Sequence, residues 1–239
     1  MTRWRSILFD LDDTLFDFRV AFRDGMLQTM RSHPLTCRLD ADQFYPIFDR
    51  YSKSLWSHVA SNEMTFADYR RQRLMRALES TGRAADMDAV DHFNNAFAEN
   101  YLDEMSPRAS VTRLISRLAD YYPLGLITNG PGDLTIEKLK RLGLASFFAP
   151  ERIVVSETVG FSKPDPRIFA EGLTRMGVRA DETIFVGDSW ETDIVGAIHA
   201  GIAAVWLNPT QQEQPTDDTP MAVIKNLQEL EVVLMNYNA

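Results

Sequence analysis

Five short apolar runs, each ending in small or polar residues, narrow the folds open to this chain more than any other feature. They are Ile7–Phe9, Leu124–Ile127, Ile153–Val155, Ile184–Val186 and Ala203–Leu207. Each has the length of a strand, and several are rich in β-branched residues. After the first, the runs alternate with stretches of helical spacing: Val111, Leu114, Ile115 and Leu118; Ile168, Phe169, Leu173 and Met176; Ile194, Ala197 and Ile198; then Leu227, Leu230 and Leu234. Strands apolar on both faces that alternate with amphipathic helices imply an α/β fold, a Rossmann-like parallel sheet core with helices on both faces.

Between residues 18 and 102 the pattern changes. Phe18, Phe22, Met26 and Met30 fall four apart, and Ile47, Phe48, Tyr51 and Leu55 keep helical spacing, as do Val90, Phe93, Phe97 and Tyr101. No strand-like run interrupts them, so the expectation is a helical domain, 18–102, inserted into a core formed by 1–17 and 103–239. The aromatic residues of the insert fit simple packing of a small bundle better than a cofactor box. The polar stretch Thr210–Pro220 reads as a surface loop.

In an open parallel sheet, ligands sit beyond the carboxyl ends of the strands. The first run leads into Asp10, Asp12 and Asp13, and the second into Thr128, Asn129 and Gly130. Beyond the third lies Gly160-Phe161-Ser162-Lys163-Pro164, and after the fourth come Gly187, Asp188 and Asp193. Taken singly, each cluster has an ordinary explanation as a helix cap, a turn or a solvated loop. Taken together at one edge of one sheet, they form an inventory of oxygen ligands, a hydroxyl, an amide and one lysine. Like charges about 4 Å apart repel by ~1 kcal/mol in bulk water and by several times that near protein, so a cation is expected among the carboxylates. Acidic oxygens suit a hard cation such as Mg²⁺, with Mn²⁺ as an alternative. A carboxylate can act as a covalent nucleophile towards phosphorus. Asp10 and Asp12, two apart in an extended chain, project to the same side. One can attack while the other handles the proton of the leaving oxygen, with metal and lysine neutralising charge.

Composition removes other classes. A formal net charge of −9 argues against a nucleic-acid polymer as partner. A small anion remains compatible, because a local field can oppose the global one. The single cysteine, Cys37, excludes an internal disulfide and a thiolate metal cluster. No apolar run reaches the ~18 residues of a membrane span, and the N-terminal run is too short for a signal peptide. A cytoplasmic protein with no membrane partner is the expectation.

The chain resembles the haloacid dehalogenase (HAD) superfamily over nearly its full length. The motif D-x-D-x-T after a hydrophobic strand matches Phe9–Leu15, and the Thr at the end of the next strand matches Ile127–Gly130. The lysine before proline matches Ser162–Pro164, and G-D-x-x-x-x-D matches Gly187–Asp193. The insert resembles the superfamily's helical type 1 cap. The resemblance implies that Asp10 is the nucleophile and a metal ligand. It implies that Asp12 is general acid and then general base, with its main-chain carbonyl on the metal. Asp188 is then a further metal ligand, and Asp193 a ligand or a neighbour of one. Thr128 and the Asn129 backbone hold phosphate oxygens, Lys163 bridges nucleophile and phosphate, and Thr14 orients Asp12. Asp13 receives no catalytic role; a helix cap is the simpler reading for it.

Within the superfamily, dehalogenases lack the acid two residues after the nucleophile, because halide leaves without a proton. Asp12 therefore favours transfer of phosphate to water, where general acid–base help is worth ~10²–10⁴ in rate. A phosphonatase would carry an activated lysine in the cap, where the only lysine is Lys53. A phosphosugar mutase stays compatible with the motifs. A non-catalytic binding protein on this fold would usually have lost one of Asp10, Asp12, Lys163 and Asp188. The stretches 156–165, Val205–Pro209 and Ser54–Ser57 are similar to the branch that holds pyrimidine 5′-nucleotidases. This implies a nucleoside monophosphate substrate, with other small phosphorylated metabolites such as sugar phosphates or phosphoglycolate as alternatives. Phe18, Trp56, Arg70, Arg71 and Arg73 are candidate cap contacts, weighed against packing or a solvated helix face.

Overall fold

A computed structural model describes residues 4–238, with side chains described to residue 236. The backbone contacts divide the chain into two units: one made of the residues up to Asp17 with those from Pro107 onward, the other Phe18–Ser106.

The first unit is built on strands β1 (Ser6–Phe9), β2 (Leu124–Thr128), β3 (Ile153–Val155), β4 (Thr183–Gly187), β5 (Ala203–Leu207) and β6 (Ala222–Ile224). They form one sheet in the order β3-β2-β1-β4-β5-β6 with every pairing parallel. The five sequence-predicted strands are all present, lengthened by a residue or two at most. The sixth was not expected. It is three residues long, lies at the sheet edge, and leaves Val223 52% exposed, so neither length nor alternation marks it. Leu8, Ile127, Val154 and Phe185 are fully buried in the core, each burial worth about 1.5–3 kcal/mol.

The chain winds outward from β1 through β2 to β3, then crosses back to β4 and winds the other way. The strand order therefore reverses between β1 and β4, where an open α/β sheet leaves a crevice at its carboxyl edge.

In chain order the helices of the second unit are α1 (Phe18–Ser32), α2 (Ala41–Ala60), α3 (Phe66–Glu79) and α4 (Met87–Asp103). Side chains cap three of them: Asp40 accepts from the Asp42 and Gln43 amides, Thr65 from Asp68, and Asp86 from Ala89. Val90, Phe93, Phe97 and Tyr101 face inward, as their spacing requires.

The first unit continues with α5 (Ala109–Ala119), α6 (Gly132–Arg141), α7 (Ser156–Val159), α8 (Pro166–Met176), α9 (Gly196–His199) and α10 (Glu229–Asn238). The start of α8 follows its sequence: Asp165 accepts from the Arg167 amide, Pro166 opens the first turn, and Gly177 ends the helix with φ +64°. Ahead of α9, residues Trp190–Val195 form a π-helical turn, in which the amides of Asp193 and Ile194 both donate to the Ser189 carbonyl. Among the described residues, no helix is long and apolar enough to cross a membrane.

Candidate active site

The crevice gathers the strand-end residues of β1, β2 and β4, together with the segment that leads into α8. Asp10 follows β1, and its amide still donates to the Val186 carbonyl of β4 at 2.9 Å, so sheet pairing holds it in place. Lys163 reaches it from the loop before α8: its Nζ lies 2.5 Å from Asp10 Oδ1 and 2.6 Å from Asp193 Oδ1. All three side chains are more than nine-tenths buried.

Asp193 is supplied by the π-helical turn, whose extra residue sets that side chain back towards the end of β4. Its second oxygen accepts from the Ser189 amide at 3.1 Å. Gly187 is required by this approach, because a Cβ there would stand 2.4 Å from Asp193 Oδ2 and 2.6 Å from Asp193 Cβ. Asp188 follows on the same strand end. Its Oδ1 accepts from the Thr14 hydroxyl at 3.2 Å, and its main-chain carbonyl accepts from the Trp206 indole at 2.9 Å.

Ligand oxygens of Asp10, Asp188 and Asp193 lie within 4.8 Å of one another. Three carboxylates against the single Lys163 ammonium leave a formal excess of two negative charges in a buried place. The electrostatics follow from this. Burial pushes the Asp10 carboxyl well above the ordinary carboxylate range; the Lys163 ammonium opposes the rise, and Asp193, Asp188 and Asp12 add to it. Asp188 is pushed up to about 7 by burial, with Asp193 and Asp13 adding, against Lys163 and the Thr14 hydrogen bond. Burial disfavours the charged form of Lys163, yet the carboxylates of Asp10 and Asp193 hold it above the usual lysine range. The donor set, all hard oxygens with an excess of two charges, fits a divalent cation.

Around the end of β2, Thr128 Oγ1 accepts from the Gly130 amide at 2.9 Å. Asn129 turns its side chain towards Lys163, accepting from its amide at 2.8 Å and donating to its carbonyl at 2.9 Å. This clamp on the lysine backbone adds to the role the sequence suggested for Asn129.

Two local expectations are corrected. Thr14 donates to Asp188 rather than Asp12, because the turn after β1 aims its hydroxyl at the neighbouring strand end. The Asp12 carboxylate instead pairs with Lys138 of α6 at 2.7 Å and stands outside the cluster of Asp10, Asp188 and Asp193. Asp13 stands ahead of α1 rather than at a helix start: it takes φ +62° within a turn closed by a bridge between Asp12 and Phe16. Lys138 was missed altogether. A signal existed: it occupies an inward position of α6 beside Thr135 and Leu139, where helical spacing calls for an apolar residue.

Of the second-unit candidates, Arg71 is committed to Asp91 through two bonds of 2.7 Å. The Arg73 guanidinium is buried among Phe22, Phe48, Tyr69 and Phe97, 4.8–5.7 Å from the ring centroids. Trp56 packs edge-on against Phe66 and Tyr69. Lys53 is 77% exposed and paired with Asp49, which is no setting for an activated amine.

A family model for haloacid dehalogenase-like hydrolases matches residues 4–201. The pyrimidine 5′-nucleotidase YjjG of Escherichia coli (strain K12) is 30% identical over 236 residues, covering 98% of this chain and all of that protein. A glyceraldehyde 3-phosphate phosphatase of Methanothermobacter thermautotrophicus is 30% identical over 237 residues, covering 96% of this chain and 99% of the relative. Among solved structures, the HAD-hydrolase YfnB from Bacillus subtilis, bound to magnesium, superposes with a TM-score of 0.83 at 26% identity, over 98% of this chain and all of that one.

Proposed function

The chain belongs to the haloacid dehalogenase-like hydrolase family, and we propose that it is a metal-dependent phosphatase that works through an aspartyl-phosphate. The observation that carries this reading is the buried cluster of Asp10, Asp188 and Asp193, with its excess negative charge, beside a separately held Asp12. A dehalogenase needs neither the cation site nor the second acid.

In this reading Asp10 attacks phosphorus, and the bond to the ester oxygen breaks as Asp12 gives that oxygen a proton. Asp12 then takes a proton from the water that attacks the aspartyl-phosphate, which restores Asp10 and releases phosphate. Lys163, protonated throughout, keeps the Asp10 carboxylate in place and meets the incoming phosphate. Thr128 and the Asn129 amide hold phosphate oxygens, and Asn129 also fixes the Lys163 backbone. A divalent cation, Mg²⁺ or Mn²⁺, held by Asp10, Asp188 and the Asp12 carbonyl with Asp193 beside them, would neutralise charge and polarise a phosphoryl oxygen.

The substrate we propose is a nucleoside 5′-monophosphate with a pyrimidine base. The likeness to the E. coli nucleotidase over the full length of both chains supports it. The equal identity to a triose phosphate phosphatase supports a small sugar phosphate as the second reading. The second unit, as a cap, selects between them.

The test is phosphate release from a panel of pyrimidine monophosphates, glyceraldehyde 3-phosphate and phosphoglycolate, with Mg²⁺ or with EDTA. Release that depends on metal and falls by more than about 10³-fold in Asp10→Asn is the expected result. Preference for a pyrimidine monophosphate supports the finer reading, and preference for the triose phosphate replaces it. Release that survives both EDTA and Asp10→Asn removes the mechanism.

A further inference from the structure

We infer that Lys138 is the residue that positions Asp12 for proton transfer, an inference that rests on the aspartyl-phosphate reading above. Lys138 lies on the inward face of α6 and is 1% exposed. Burying an ammonium costs free energy unless it is paired, and a leucine at this position would pack without that cost. The Lys138 ammonium is paired with the Asp12 carboxylate, at 2.7 Å from Oδ1. The face of Phe16, with its centroid 5.8 Å away, covers it.

The other oxygen of Asp12 lies against Gly130. A Cβ on Gly130 would stand 2.8 Å from Asp12 Oδ2, 3.2 Å from Thr128 Oγ1 and 3.6 Å from Lys138 Nζ. The carboxylate, the hydroxyl and the ammonium thus meet around Gly130, where an added Cβ would press on Asp12 Oδ2, beside the residues proposed to hold the phosphate. Two neighbouring donors serve other carboxylates: Thr14 donates to Asp188, and Lys163 is shared by Asp10 and Asp193.

The pairing also decides which oxygen works. An ammonium only donates, so the Asp12 oxygen bound to it stays an acceptor, and Oδ2 carries the transferable proton. In the first step the Oδ2–H proton goes to the ester oxygen as its bond to phosphorus breaks and the bond from Asp10 forms. In the second step Oδ2 takes a proton from water as the water oxygen bonds to phosphorus and the bond to Asp10 breaks. Lys138 touches neither reacting atom and acts through Asp12.

The experiment compares wild type, Lys138→Met, Lys138→Arg, Asp12→Asn and the Asp12→Asn/Lys138→Met pair on UMP and on 4-nitrophenyl phosphate, with Mg²⁺. 4-Nitrophenolate leaves without a proton, whereas the 5′-hydroxyl of UMP does not. Lys138→Met is expected to lower kcat on UMP by about 10²-fold, within the range of general acid–base help, and to follow Asp12→Asn in kind. With 4-nitrophenyl phosphate both variants should give a burst of one nitrophenolate per enzyme and then slow turnover, because breakdown of the intermediate still needs Asp12. Lys138→Met should cost nothing further in the Asp12→Asn background, and Lys138→Arg should recover part of the rate.

Equal losses on both substrates without a burst, or losses that multiply in the double variant, would reduce Lys138 to a structural role and overturn the inference. Should Lys138→Met melt below the assay temperature, Lys138→Gln and the Lys138→Arg rescue carry the same comparison. A wild-type rate that persists in Asp10→Asn would instead sink the aspartyl-phosphate reading, and the inference with it.

Discussion

Asp188 shows what single residues cost and contribute at this site. Its carboxylate is drawn in beside Asp10 and Asp193, and burial with this crowding raises its pKa to about 7. Without metal, the fold therefore carries repulsion that a neutral side chain would relieve. Asp188→Asn should raise the melting temperature of EDTA-treated protein at pH 8 by about 2–4 °C, corresponding to roughly 1 kcal/mol in a chain of this size. Mg²⁺ should raise the melting temperature of wild type, and the same variant should lose that shift, since ligand binding stabilises only the state that binds. Differential scanning fluorimetry with and without Mg²⁺ reads both effects. A variant less stable in EDTA that still responds to Mg²⁺ would refute the assignment. At this scale the sequence was legible where chemistry is written in residue type: Asp10, Asp12 and Asp188 follow strand ends, and Lys163 lies in the loop before α8. It was not legible where a partner comes from far along the chain. Lys138 lies 126 residues from Asp12, and the aim of the Thr14 hydroxyl depends on a neighbouring strand 174 residues away.

Among the elements, the helical unit carries a titratable contact of its own. His33, just past α1, is 6% exposed, and its Nδ1 accepts from the Leu35 amide at 3.2 Å. That nitrogen is therefore unprotonated, so Nε2 carries the hydrogen and donates to His92 Nδ1 of α4 at 2.8 Å. Burial, and then the His92 charge, lower the pKa of His33 below the 6.5 of a free imidazole. As pH falls below about 6.5 the unfolded chain takes up this proton first, so stability is lost until pH passes below the folded pKa. Above about 7 the contribution is fully present. Urea denaturation between pH 7.5 and 5 should show a stability decline that His33→Gln flattens, and an unchanged decline would exclude the pair as its source. Elements with long periodic patterns, such as α4 and α5, were readable because each turn repeats the same demand. The edge strand β6 and the π-helical turn were not. The first is too short for a period, and the second is a one-residue departure that matters only because Asp193 must reach the end of β4.

For the whole molecule, the decisive fact is that the second unit enters as a single insertion. The chain leaves the first unit after Asp17 and re-enters it at Pro107, and Arg108 pairs with Asp17 where the two crossings meet. If the second unit selects the substrate and the first performs the chemistry, the two roles are separable. Exchanging residues 18–106 for the equivalent segment of the Methanothermobacter relative should move the ratio of kcat/KM for UMP over glyceraldehyde 3-phosphate towards the triose phosphate by about tenfold or more, a difference of roughly 1.4 kcal/mol. Phosphate release should still vanish with Asp10→Asn. An unchanged ratio in a folded chimera would move specificity into the first unit. The sequence alone determined the α/β class, five of the six strands, the helical stretch between them and the residue types that follow the strands. These are local properties, set by hydrophobic period and by side-chain chemistry. Only the tertiary structure decided which ammonium serves which carboxylate. Parallel pairing places strand ends from residues 10, 128 and 188 side by side, and α6 and the loop before α8 bring Lys138 and Lys163 to different carboxylates. Coulomb energy depends on those distances in space, which no spacing along the chain contains.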